Sequence, residues 1–150
     1  MKESLISLKT AILAKETGFD EECEWVIYNP SKSTENEPYR CGKRKYNFYS
    51  RPPKDGRTRV HICTQSLLQK WLREKFNIIV EVVEYYTEED LPLSDLKFPT
   101  PKGWYYWDKY DDDFSEEKAE KFAFYEQALD YGLQKALNLV LVWKNKYTKS

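Results

Sequence analysis

The sequence predicts an α+β domain: a small antiparallel sheet of about four strands, packed by a central and a C-terminal helix. Three observations carry this. Between Thr64 and Tyr86 a helical apolar period (Leu67, Leu68, Trp71, Leu72, Phe76) hands over directly to the β-branched run Ile78 to Val83. The aromatic run Trp104-Tyr105-Tyr106-Trp107 has high strand preference and suits antiparallel pairing with that β-branched run. A second amphipathic pattern, Phe122, Tyr125, Leu129, Leu133, Ala136, Leu137 and Val140, holds one face of a C-terminal helix. Successive strands are joined by turns except at the central helix, which disfavours parallel crossovers. The expected order is α-β-β-(β)-α-β-β-α in a single domain, residues 1–150, a length that buries roughly 70% of its unfolded surface.

In chain order, Leu5, Ile6, Leu8, Ala11, Ile12 and Ala14 give an entry helix that Gly18 is placed to terminate. Trp25 to Tyr28 is a short strand stopped by Asn29-Pro30, and the polar run 31–37 reads as an exposed loop. Tyr39 to Tyr49 alternates basic and aromatic residues as one arm of a hairpin. Arg51-Pro52-Pro53-Lys54-Asp55-Gly56 is a turn, and Arg57 to Ile62 returns as a strand. Thr64 is a fitting N-cap for the central helix, with Cys63 and Leu68 spaced as a hydrophobic staple and Asn77 as its stop. Ile78 to Val83 is apolar on both parities, which suits the centre of the sheet. The segment 87–101 carries Pro92, Pro99 and Pro101 and is long for a connection. The last helix has two possible starts: a cap at Asp113 with Glu116, or a later start near Tyr125 if Phe122-Ala123-Phe124-Tyr125 forms a short strand.

Several of these blocks carry a resemblance. Thr64-Gln-Ser-Leu-Leu-Gln-Lys-Trp-Leu-Arg-Glu-Lys with Asn77-Ile78, Tyr125-Glu-Gln-Ala-Leu with Gly132-Leu-Gln-Lys-Ala-Leu, and the opening Ile6 to Ala11 with Ala14-Lys15 and Gly18-Phe19, resemble small uncharacterised proteins of tailed phages and prophages of gut bacteria. The blocks cover about half of the chain and are its three helices. Where this sequence has Cys63, that family usually has proline. The resemblance implies a phage accessory protein, a class that includes many host-directed binders, and transfers no chemistry to any residue.

Composition narrows the field. The formal charge is -1, which argues neither for a nucleic-acid binder nor for an acidic tail, so nucleic acid is not the expected partner, and no apolar run approaches the ~20 residues that cross a bilayer. The N-terminus lacks the apolar core of a signal peptide, so a cytoplasmic protein is expected, in the host cell if phage-encoded. Three cysteines, Cys23, Cys41 and Cys63, are then expected as reduced thiols. With His61 they are zinc-ligand types, but spacings of 18 and 22 positions lack the close pairs of structural zinc sites, and no metal or cofactor is expected. Cys63 beside a helix N-terminus, with His61 two residues away, is the one candidate nucleophile pair, and ordinary packing is the simpler reading. The carboxylate runs Glu88-Glu89-Asp90 and Asp111 to Asp113 read as solvated loops and helix starts. No P-loop, dinucleotide-binding glycine pattern, nucleophile elbow or His-Glu-x-x-His is present.

Charge distribution is more informative than total charge. From Arg40 to His61 there are eight cations against Asp55, about +7, whereas Glu81 to Glu126 holds 14 acids and five lysines, about -9. The basic arm either pairs with acidic segments of its own or a second chain, or it binds anions. Interleaved tyrosines allow phosphate binding and base stacking together. Two functions from different classes follow. One is a non-catalytic binder that captures an anionic, nucleotide-like small molecule, such as a host defence signal, between the arm and the aromatic strand. The other is a protein-interaction or inhibitor module for a host protein or a second copy, and a Cys/His enzyme comes third. For the binder the candidate residues are Arg40, Arg44, Arg51, Arg57 and Arg59 for phosphate, Tyr46 and Tyr49 for stacking, and Trp104 with Tyr106 as an exposed wall. A single-layered sheet would bury one face of the aromatic strand and expose either that pair or Tyr105 with Trp107.

Overall fold

A computed structural model describes residues 3–28, 39–45, 59–86 and 101–148; for Tyr28, 39–45, Arg59 and 147–148 it describes the backbone path alone. The elements follow the expected order: α1 (Leu8–Thr17), β1 (Glu22–Tyr28), β2 (Tyr39–Lys45), β3 (Arg59–Ile62), α2 (Gln65–Phe76), β4 (Glu81–Tyr85), β5 (Gly103–Trp107) and α3 (Tyr125–Thr148). The fold is α+β. The polar loop 31–37, the turn Arg51 to Gly56 and segment 87–100 lie outside the described residues.

Local capping explains the helix limits. Ser7 accepts from the Thr10 N–H at 3.3 Å, and Gly18 ends α1 in the left-handed region at φ 94°, with the Phe19 N–H returning to the Ala14 carbonyl at 3.1 Å. Thr64 accepts from the Leu67 N–H at 3.3 Å, and Asn77 closes α2 at φ 55°. Cys63 and Leu68 are buried in one core, as a staple requires.

One sheet was expected, and the described strands make two, both antiparallel: β2-β1-β3 and β4-β5. The reason lies in Ile78-Ile79-Val80, which stay outside the ladder although the sequence suggests them as its centre. Their backbone groups are engaged elsewhere. The Ile78 N–H bonds the Leu72 carbonyl at 3.2 Å, the Ile79 N–H donates to Tyr110 Oη at 3.0 Å, and the Val80 carbonyl accepts from Gln69 Nε2 at 3.0 Å. Strand pairing therefore begins at Glu81 opposite Trp107 and runs to Tyr85 opposite Gly103, the hairpin that the aromatic run predicts.

The last helix takes the later of its two starts. Phe122 exchanges two backbone hydrogen bonds with Trp104, at 2.8 and 2.9 Å, and so extends the β5 edge by one residue before α3 begins. Asp113 does not cap a helix; its N–H donates to Asp111 Oδ1 at 3.0 Å within a turn.

α3 is the common support: α1, α2, β4 and β5 all pack on it. α1 is fastened to it at both ends. The Asp130 carboxylate accepts from the Ser7 N–H at 2.9 Å and from the Ser7 hydroxyl at 2.7 Å, and the Lys144 ammonium donates to the Thr17 carbonyl. Trp71, Leu72, Leu129 and Leu133 share one core, where Trp71 meets Phe19 and Phe76 edge-on at 5.2 and 5.1 Å. Gly132 lets the hairpin approach α3 closely, because a β-carbon there would stand 2.7 Å from the Tyr106 ring.

The aromatic strand corrects one expectation. Tyr105 and Tyr106 point to opposite faces, yet they are 3% and 4% exposed, so neither expected pair is on display. Tyr106 packs on α3 beside Tyr131, while the 108–122 segment folds back over the second face, where Phe114 stacks on Tyr105 and Lys121 Nζ sits 4.8 Å from its ring.

Candidate ligand cleft

A concavity of about 820 Å³ lies between the start of β1 and the polar face of α2. That is within the usual size of a small-molecule site. β1 contributes Cys23 and Trp25, with Glu21 just ahead of it. α2 contributes Ser66, Gln69, Lys70 and Arg73, spaced as a single helical stripe, and Thr64 closes one end. The helix presents this stripe because Leu68, Trp71 and Leu72 are drawn into the core on its other side. Lys70 and Arg73 make no ion pair with any described residue, and neither do Glu21 and Glu22 on the facing wall. The cleft therefore has a cationic and a carboxylate side, with Lys70, Arg73, Glu21 and Glu22 free of ion pairs with described residues.

Cys23 and Cys63 also line it, and both are buried. The Cys63 thiol is pushed well above its ordinary value, first by a hydrogen bond with Cys23 and then by burial. A thiol held protonated in this way is the opposite of an activated nucleophile. His61 pairs with Val26 and lies on the face opposite to Val60 and Ile62, whereas the chain leaves β3 after Ile62 and carries Cys63 into the core as the residue ahead of the α2 cap. Among the described residues no cluster of three or more His, Cys, Asp or Glu side chains is placed to hold a metal ion.

The residues predicted from sequence are distributed unevenly about this cleft. The β1–β2 register sets Arg44 opposite Cys23 and Arg40 opposite Trp25, both cleft-lining residues, and Lys45 opposite Glu22. The register shifts between Cys23 and Trp25, which leaves Cys41 to Lys43 facing Glu24. Arg59 stands opposite Tyr28, at the far end of the sheet. Tyr46, Tyr49, Arg51 and Arg57 lie outside the described residues. Trp104 and Tyr106 belong to the other sheet, and an exposed wall of these two does not form. Trp104 is partly buried and bridged to Phe122, and Tyr106 is in the core, where burial first, and then Asp108, push its phenol well above its ordinary value and keep it protonated.

Sequence reasoning missed Trp25, Lys70 and Arg73. The helical stripe of Lys70 and Arg73 is visible in the sequence, but a stripe facing a cleft and one facing bulk water have the same period.

Fold and cleft together define an α+β domain with a ligand-sized, charge-bearing groove between a helix and a sheet. Comparison with protein-family models, with curated proteins and with solved structures found no match.

Proposed function

We propose that this chain is a non-catalytic binding protein of the phage-accessory kind its sequence resembles, and that it captures a small anionic, nucleotide-like molecule in the cleft between β1 and α2. The observation that carries this reading is the pair Lys70 and Arg73. They stand one turn apart, free of ion pairs with described residues, on the wall of a cavity of about 820 Å³. A phosphate suits that wall, and arginine can hold it with two parallel hydrogen bonds. Trp25 offers a stacking face, and the glutamates opposite can accept from ribose hydroxyls or a base amino group. A nucleotide carries both kinds of partner, which inorganic phosphate does not. Arg40 and Arg44, in register with lining residues, support the same reading.

The test is calorimetry with a panel of ribonucleotides and cyclic dinucleotides. Arg73→Ala and Arg44→Ala should each weaken binding by ~1.5 to 3 kcal/mol, the range for a hydrogen bond to a charged group, and Lys75→Ala, exposed on α2 but outside the cleft lining, should change it little. Equal, small losses in all three variants would mean a diffuse basic surface. No binding across the panel, with no small molecule retained in native mass spectrometry from a nucleotide-rich lysate, would end the proposal.

A further inference from the structure

A second surface lies on the other sheet and is independent of the cleft. Ile79, Trp107 and Tyr110 are 41%, 40% and 37% exposed, although large apolar side chains at a hairpin end ordinarily turn inward. Ile79 and Tyr110 are joined, and Trp107 stands at the same end of the hairpin. The Ile79 N–H donates to Tyr110 Oη at 3.0 Å, Trp107 stands opposite Glu81 across the ladder, and Trp107 rests edge-on against Phe114 at 5.2 Å. Tryptophan and tyrosine at the centre of an uncovered patch are the residue types that anchor protein interfaces.

The rim of this patch specifies the sign of its partner. From Asp108 to Glu117 the chain carries six carboxylates and one lysine, Lys109, which pairs with Glu81 at 3.7 Å. Asp112 and Asp113 are exposed and make no ion pair with a described residue. The complementary charge is in the same sequence. β2 carries Arg40, Lys43, Arg44 and Lys45 and no acid, and it is an outer strand of its sheet among the described residues. Within one molecule β2 pairs with β1, while the patch belongs to the sheet that packs on α3. The two charged poles of one chain thus sit on different sheets.

We propose that the Ile79–Trp107–Tyr110 patch is a self-association surface that receives the basic outer strand β2 of a second copy of this chain. Two different surfaces meet in such a contact, so reciprocal exchange closes a dimer and one-way exchange propagates a chain. Screening shortens from roughly 10 Å at 0.1 M salt to under about 5 Å at ~0.5 M, so the charged part of the contact is salt-sensitive.

The experiment is size-exclusion chromatography with light scattering, on the full chain at ~0.05 M and ~0.5 M salt. The wild type should run above its 18.0 kDa monomer mass at low salt and return to it at high salt. Trp107→Ala should be monomeric at both. Asp112→Lys reverses a charge on the rim of the patch and Lys43→Glu one in β2, and each should be monomeric by itself. Mixing these two should restore the larger species, because each supplies the intact surface the other lacks. A wild type that stays at 18.0 kDa at low salt, or association that survives both Trp107→Ala and Asp112→Lys, overturns the proposal.

Discussion

Gly132→Ala sets helix propensity against packing. In an exposed helix interior the substitution would stabilise by about 0.8 to 1 kcal/mol, because glycine loses more backbone freedom on folding. Gly132 is not exposed. A β-carbon there would stand 2.7 Å from Tyr106 Cδ2, 2.9 Å from Val80 Cγ1 and 3.1 Å from Tyr106 Cγ. Carbon atoms attract at about 3.5 to 4.0 Å, so the Tyr106 ring and Val80 must retreat by most of an ångström. Both are core residues with little room to do so, and the Tyr106 ring is further held by Tyr131. Overpacking of this kind costs ~1 to 3 kcal/mol, so after the propensity gain the net loss should be about 1 kcal/mol. Urea denaturation at neutral pH reads it as a lower midpoint with unchanged slope. In a Tyr106→Leu background part of the obstruction is gone, and the same substitution should become near neutral or stabilising. A raised midpoint for Gly132→Ala alone, or an identical effect in both backgrounds, would refute the close approach of hairpin and α3.

Trp71→Ala should destabilise by ~3 to 5 kcal/mol in the same assay, since it removes the ring between Phe19 and Phe76. Trp71→Phe should cost less than about 2 kcal/mol, because the buried indole N–H has no hydrogen-bond partner among the described residues to lose; equal losses for the two variants would count against this. Asp130→Ala removes the acceptor for the Ser7 amide and hydroxyl and for Gln134 Nε2 and should cost ~1 to 2 kcal/mol. It should also speed amide exchange in the first turn of α1, and unchanged exchange there would show that α1 is anchored by other contacts. Stability should fall in alkali. The folded chain holds the Cys63 and Tyr106 protons more tightly than the unfolded chain, so their contribution is full below the ordinary thiol value of 9.0 and is lost as pH climbs above it. Urea midpoints should be level between about pH 7 and 8.5 and lower by pH ~10.5, less so in Cys63→Ala, and a midpoint that rises over that interval would reverse the assigned sign.

The sequence by itself determined the elements and their order. Helix limits are local: Ser7, Gly18, Thr64 and Asn77 cap by bonding their own neighbours, and the apolar period that defines a helix face is written in consecutive residues. The hairpin of β4 and β5 was legible for the same reason, from β-branched and aromatic runs. Tertiary structure alone decided how many sheets there are. Ile78 to Val80 look like the centre of a sheet, yet the adjacent α2 and the more distant Tyr110 take their backbone groups, a competition that the apolar pattern does not record. It also decided the aromatic strand: α3 buries Tyr106 and so removes the expected Trp104–Tyr106 wall, while the chain after Asp108 folds back over Tyr105 on the other face. The cleft was hidden for a related reason. Lys70 and Arg73 have the sequence of an ordinary solvated helix face, and they become a wall only because β1 stands opposite them. Periodicity records which side of an element is polar, and the distance across that side to the next element is a property of the packed molecule.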